Sequence, residues 1–245
     1  MAAMKPKFAC CAAMLAWLLF AQGQPAAGQS ATGQPASMGE VSVRIGYPQA
    51  KPSAKLPPAV VWLAPVAPGT IAAAKPGRHT LLQKNRAFSP HLLIIPVGST
   101  VSFPNADPFF HNVFSLFNGK RFDLGLYEAG STREVVFPRE GVSYIFCNIH
   151  AEMSAVVLSL STPLYATADA SYNARIRNVP AGDYDLHVWV EGTPEPTLKN
   201  ISKRVHVRPG SPDVTTIELP EPPSPLHEHL NKFGQSYDHD ARPHY

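Results

Sequence analysis

Twenty-six prolines are spread over the 245 residues of this chain, and they leave little room for a long helix. A proline inside a helix removes a backbone hydrogen bond and clashes with the preceding turn, whereas it is tolerated in turns and on strand edges. Between the prolines run short apolar stretches with a period of two. Val41, Val43 and Ile45 alternate with Ser42 and Arg44. Val142, Tyr144 and Phe146 alternate with Ser143, Ile145 and Cys147, and Tyr184, Leu186, Val188 and Val190 with Asp185, His187 and Trp189. This alternation is the mark of strands, and strands at short, regular spacing with turn signals between them predict an all-β sandwich or barrel. Further strands are expected at Ala59 to Leu63, Leu92 to Pro96, Thr100 to Phe103 and Ser154 to Leu160. Another carries Phe122, Leu124 and Leu126 on one face.

Charge and targeting narrow the field. Asp, Glu, Lys and Arg make up 16% of the chain, and the formal net charge is +3. There is no Lys/Arg run, so nucleic acid is not an expected partner. Lys5 and Lys7 precede the apolar run Phe8 to Phe20, and Ala21-Gln22-Gly23 follows with small residues. That is the layout of a secretory signal, 1–23, and the run is shorter than the ~20 residues a membrane span needs. An uncleaved anchor is the alternative. Cleavage removes Cys10 and Cys11 and leaves Cys147 as the one remaining cysteine. A lone thiol in an oxidising periplasmic or secreted setting has no internal disulfide partner, and metal ligation is one explanation for it.

Cys147 sits in Phe146-Cys147-Asn148-Ile149-His150-Ala151-Glu152-Met153, at the end of an expected strand, and Phe110-His111-Asn112-Val113 closes an earlier strand-rich segment. Thiolate, two imidazoles and a thioether form the donor set of a blue-copper site. Two residues separate Cys147 from His150 and two more separate His150 from Met153, so a tight turn can aim all three at one point. His111 has to arrive from a neighbouring strand. Each residue alone has a blander reading: a structural histidine, a core methionine, an inert buried thiol. The four in this order favour mononuclear copper and single-electron transfer. His91, after Ser89-Pro90, is a further candidate ligand, although its place at a strand start favours a structural or surface role. His227, His229, His239 and His244 lie in a Pro-containing tail, 220–245, expected to be disordered, where weak metal binding is the alternative.

Residues from about Leu82 to Leu160 resemble the cupredoxins, the plastocyanin and amicyanin family. The likeness is carried by Pro96-Val97-Gly98-Ser99-Thr100-Val101, by Asn105-Ala106-Asp107-Pro108-Phe109-Phe110-His111-Asn112-Val113 and by Phe146 to Met153. The short two-and-two ligand loop is like that of amicyanins. The resemblance implies a Greek-key cupredoxin β-sandwich with one type 1 copper per chain, held by His111, Cys147, His150 and Met153. It gives Asn112 the task of tying the two ligand loops together near the sulfur, which orients the ligands. It also makes His150 a partly exposed electron exit in an apolar patch of Pro108, Phe109, Ile149 and Ala151. Amicyanin loops carry prolines and an aromatic residue where this chain has Asn148, Ile149, Ala151 and Glu152. Glu152 is expected to face solvent; the alternative is that it competes with Met153 as a ligand.

The flanking strands resemble a smaller sandwich of the transthyretin-like or carboxypeptidase-regulatory type, with the turn Val179-Pro180-Ala181-Gly182-Asp183-Tyr184 leading into a strand. The expected organisation is a signal at 1–23, a flexible linker at 24–39, first strands of the flanking sandwich at 40–79, an inserted cupredoxin at 80–161, the rest of the flanking sandwich at 162–219, then the tail. Serial packing, with 40–64 serving the cupredoxin, is the alternative. The order of segments also resembles periplasmic proteins of the methylamine-utilisation or plastocyanin-like kind, which implies no role in amine metabolism. The expected function is electron transfer to a periplasmic redox protein such as a c-type cytochrome, without stable membrane insertion. Copper carriage or storage, and a binding module within a larger assembly, are the alternatives. No nucleophile elbow, phosphate loop or second three-histidine set is present in the sequence, so enzymatic activity is disfavoured.

Overall fold

The computed structural model describes residues 1, 38–46, 56–69, 71–116, 119–210, 212–221 and 229–237. The expected signal beyond Met1 and the linker as far as residue 37 lie outside the described residues, as do His227, His239 and His244. The described residues from Met38 onward fall in one compact unit.

The described residues are almost entirely strand and turn, as the alternation predicts. The first strands are β1 (Met38–Gly46), β2 (Ala59–Pro65), β3 (Arg78–Thr80), β4 (Leu82–Lys84), β5 (Ala87–Ser89) and β6 (Leu92–Pro96). Next come β7 (Thr100–Pro104), β8 (His111–Ser115), β9 (Phe122–Tyr127), β10 (Thr132–Val136), β11 (Gly141–Cys147) and β12 (Ser154–Leu160). The last are β13 (Tyr165–Thr167), β14 (Asn173–Pro180), β15 (Gly182–Val190), β16 (Lys203–Val207) and β17 (Pro212–Glu218), with one helix, α1 (Glu195–Asn200), ahead of β16. That helix was not expected. Its early Pro196 has a backbone angle already suited to a first turn, and Lys199 pairs with Glu195 one turn away at 2.7 Å.

A five-stranded sheet, β6-β12-β11-β8-β9, faces a three-stranded sheet, β10-β7-β3. Between them lies a core of Ile95, Val101, Phe103, Val113, Val135, Ile145, Cys147, Met153, Ala155 and Val157. The other face of the five-stranded sheet is also covered. Val156, Leu158 and Leu160 of β12 belong to a second core built around Val41, Leu63, Leu186, Val188 and Trp189. This double cover explains why Ser154–Leu160 reads as a nearly continuous apolar run: six of its seven residues are buried.

The second core lies among the sheets β14-β1-β17 and β13-β2-β15-β16. β1 runs antiparallel to β14 and parallel to β17, and β2 pairs with β13 and β15. The two N-terminal strands therefore find their hydrogen-bonded partners beyond Leu160. β1 also begins earlier than the sequence suggests: Met38 and Gly39, assigned to the linker, pair with Pro180 and Val179.

The alternation expected in β9 breaks. Phe122 and Leu124 are half-buried, Leu126 is 63% exposed and Tyr127 is fully buried. Gly125 has φ +67°, and the register against β8 slips between Asn112 and Phe114. The extra residue is a bulge, which moves every later side chain to the opposite face. The tail differs as well. Residues 229–237 make hydrogen bonds and ring contacts with β11 and the loop that follows it.

Candidate metal centre

Cys147 ends β11 on the same side as Ile145, facing the inner core. The chain then turns back at once. The Cys147 amide donates to the Met153 carbonyl at 3.2 Å, and the Met153 amide donates to the His150 carbonyl at 3.1 Å. These bonds close the six-residue excursion and bring His150 under the strand end. His111 opens β8, which pairs with β11 through Val113 opposite Cys147 and Phe114 opposite Phe146. That register carries His111 past the end of β11, to the level of the loop.

Three donors meet there. The Cys147 Sγ lies 3.6 Å from His111 Nδ1 and 3.5 Å from His150 Nδ1, and the donor atoms of all three residues lie within 4.8 Å of one another. Two ligand atoms each about 2.0–2.3 Å from one ion, and about 120° apart around it, are separated by about 3.7 Å. The observed separations suit a trigonal ion held by two nitrogens and a sulfur. Met153 is fully buried in the same core as Cys147. His150 departs from expectation: it is 5% exposed, with the Phe109 ring 5.7 Å away and the His111 ring 5.0 Å away.

A carboxylate holds the far side of His111. Asp107 Oδ2 lies 2.8 Å from His111 Nε2, and both side chains are buried. With Nε2 bonded to a carboxylate, Nδ1 is left facing the sulfur, the arrangement that fixes a ligand histidine. The Asp107 carboxylate also accepts the amides of Asn85 (2.6 Å) and Arg86 (2.9 Å). Burial alone would raise its pKa, but bonds from the Arg86 amide, the His111 ring and the Asn85 amide outweigh this and leave it below the ordinary value. Asn85 and Arg86 form the two-residue turn between β4 and β5, each with φ +55°, the pairing a type I′ turn requires. In the sequence Asp107 stands within the first histidine's motif without an evident task. A carboxylate four residues before a candidate histidine ligand was the available signal.

The Asn112 side chain turns toward β9. Its side-chain Nδ2 donates to Asp123 Oδ1 at 2.7 Å, on β9, which is neither ligand loop. Its backbone N–H is the group that reaches the Cys147 sulfur, alongside those of Ile149 and His150. Burial pushes the Cys147 thiol up, and these three amides pull it part of the way back. The His150 imidazole is shifted down, first by burial and then by its neighbour His111.

Of the proposed patch, Pro108 is exposed, Phe109 and Ile149 are half-buried and Ala151 is buried. Phe110, not singled out in the sequence, is 51% exposed beside them. Glu152 is exposed. His91 is not near the three donors: its Nε2 contacts Glu191 Oε1 at 2.8 Å and its Nδ1 the Ser154 carbonyl at 3.1 Å.

No family model matches the chain and no curated protein matches it. Solved structures do. A purple cupredoxin from Nitrosopumilus maritimus is 30% identical over 34% of this chain and 99% of its own, with a TM-score of 0.31. A copper-containing nitrite reductase from Thermus scotoductus SA-01 is 23% identical over 48% of this chain and 28% of its own, TM-score 0.34. An oxidized point mutant of amicyanin is 17% identical over 33% of this chain and 80% of its own, TM-score 0.31. These neighbours are cupredoxin-type proteins.

Proposed function

We propose that this chain is a type 1 copper protein that passes single electrons between redox partners outside the cytoplasm, with one copper per chain. The observation that carries the reading is the convergence of one buried thiol and two imidazole Nδ1 atoms at 3.5–3.6 Å. His111, Cys147 and His150 would hold the metal, and Met153, buried in the same core, would add a thioether. Copper, when bound, supplies a one-electron couple whose two states are both served by a mixed nitrogen and sulfur set. The chain's part is to hold those donors in place and dry. Asp107 fixes the His111 ring, three backbone amides face the sulfur, and the Phe109 ring lies against both histidines.

The ligand-bearing part is 80–161, inserted between 40–79 and 162–219, which together make a transthyretin-like sandwich. The pairing of β1 and β2 with strands beyond Leu160 supports this division. The partner is a redox protein such as a c-type cytochrome, docking weakly on Pro108, Phe109, Phe110 and Ile149. Export follows from cleavage after Gly23, and no helix among the described residues is long and apolar enough to cross a membrane.

The test is Cu(II) added to residues 24–245, with visible and EPR spectra recorded beside Cys147→Ser. An intense thiolate-dependent band with narrow copper hyperfine splitting is the expected result. A spectrum unchanged by the substitution would remove Cys147 from the site and the reading with it. A blue protein that surrenders copper readily to a competing ligand would point to copper carriage.

A further inference from the structure

The C-terminal segment 229–237 lies against the candidate ligand loop, and its contacts converge on that loop. Tyr237 Oη donates to the Cys147 carbonyl at 2.7 Å. The Lys232 amide donates to Asn148 Oδ1 at 2.9 Å. The His229 ring stacks on Phe146, centroids 4.2 Å apart and planes at 25°, and stands edge-on to Tyr237 at 5.2 Å.

A second route reaches the strand that carries His111. Lys232 Nζ bonds Asp123 Oδ2 at 2.7 Å, and Asp123 Oδ1 accepts from Asn112 Nδ2 at 2.7 Å. Asn112 lies between His111 and Val113, the residue paired with Cys147. Lys232 therefore connects, through the Asp123 and Asn112 side chains, to the strand that presents His111.

The segment is itself shaped for this. Asn231 Oδ1 accepts the amides of Phe233 and Gln235, and the Asn231 amide donates to the Gln235 carbonyl. This turn sets His229 and Lys232 on one arm and Tyr237 on the other.

We propose that residues 229–237 are a strap that fixes the Cys147–Met153 loop in its ligand geometry before any metal arrives, with Tyr237, Lys232 and His229 as positioning residues. The proposal rests on reading that loop as the metal loop, but what the strap does to the loop is measurable without metal. Donors held by a supporting shell need not be ordered at the moment of binding, and loosening such a shell lowers metal affinity.

The experiment is amide hydrogen exchange on metal-free residues 24–245, comparing the wild type with Tyr237→Phe and with a chain ending at Glu221. Tyr237→Phe removes the hydroxyl that bonds the Cys147 carbonyl and lies 3.3 Å from His229 Nδ1, and keeps the ring. Exchange across 148–153 is expected to accelerate about fivefold in Tyr237→Phe and further in the truncated chain, while peptides from β1, β2 and β15 keep their wild-type rates. Copper release to a competing chelator should quicken in the same order. Unchanged loop exchange in the truncated chain overturns the strap. So does acceleration spread evenly over all strands, which would make the segment a general stability element. Faster loop exchange in a protein that binds no copper leaves the strap standing and removes the copper reading.

Discussion

Asp107 holds the His111 ring from the side away from the sulfur. It reaches Nε2 at 2.8 Å and is itself pinned by the amides of the Asn85-Arg86 turn, so the ring is oriented by a group that cannot easily move. Asp107→Ala should lower copper affinity about 10–100-fold, read by chelator competition, while leaving the protein folded by circular dichroism. Glu152→Gln is the control: its side chain is exposed, and affinity should not change. Residue type and spacing were enough to single out His111, Cys147 and His150. The task of Asp107 was not legible, because the turn that holds it lies more than twenty residues earlier and meets it only in the folded chain.

β9 shows what a single glycine decides within one strand. At φ +67° Gly125 occupies backbone space that side chains rarely adopt, and a Cβ there would meet no atom within 4 Å. The cost of Gly125→Ala is therefore conformational, about 1 kcal/mol, to be read as a lower urea midpoint with the metal site intact. The bulge at Gly125 turns Tyr127 inward, where its hydroxyl donates to the Phe103 carbonyl at 3.0 Å. The Gly125 amide also donates to Asp123 at 2.9 Å, the carboxylate that Asn112 and Lys232 share. Strict alternation placed Leu126 with Phe122 and Leu124, because periodicity has no means of registering one inserted residue.

Across the molecule, His91 at the start of β6 meets Glu191, just beyond β15, over a span of 100 residues. The hydrogen bond to Glu191 raises the His91 pKa from its ordinary 6.5; burial opposes this, and the Glu191 charge and the Ser154 carbonyl add to it. The contribution is thus fully present below the unfolded value and lost as pH rises through the folded one. His91 is 44% exposed, so solvent screening keeps the effect under about 1 kcal/mol. Urea midpoints should fall slightly between about pH 6 and about pH 8, and Glu191→Gln should flatten that slope. A slope that survives the substitution would assign the pH dependence to other groups.

Local chemistry made the all-β class, the ligand order and the two-residue spacings readable, because alternation and tight turns are set by neighbouring residues. Burial of both faces of the five-stranded sheet, the enclosure of His150, the Asp107 bond and the 229–237 segment were decided by tertiary structure. Each depends on groups that meet only after the chain closes: Lys232 and Asp123 are 109 residues apart, Tyr237 and Cys147 are 90. A tail of His, Pro and polar residues without apolar periodicity reads as unstructured when taken alone. Residues 229–237 are placed by the strand end and loop they cover, through bonds whose partners no local pattern names.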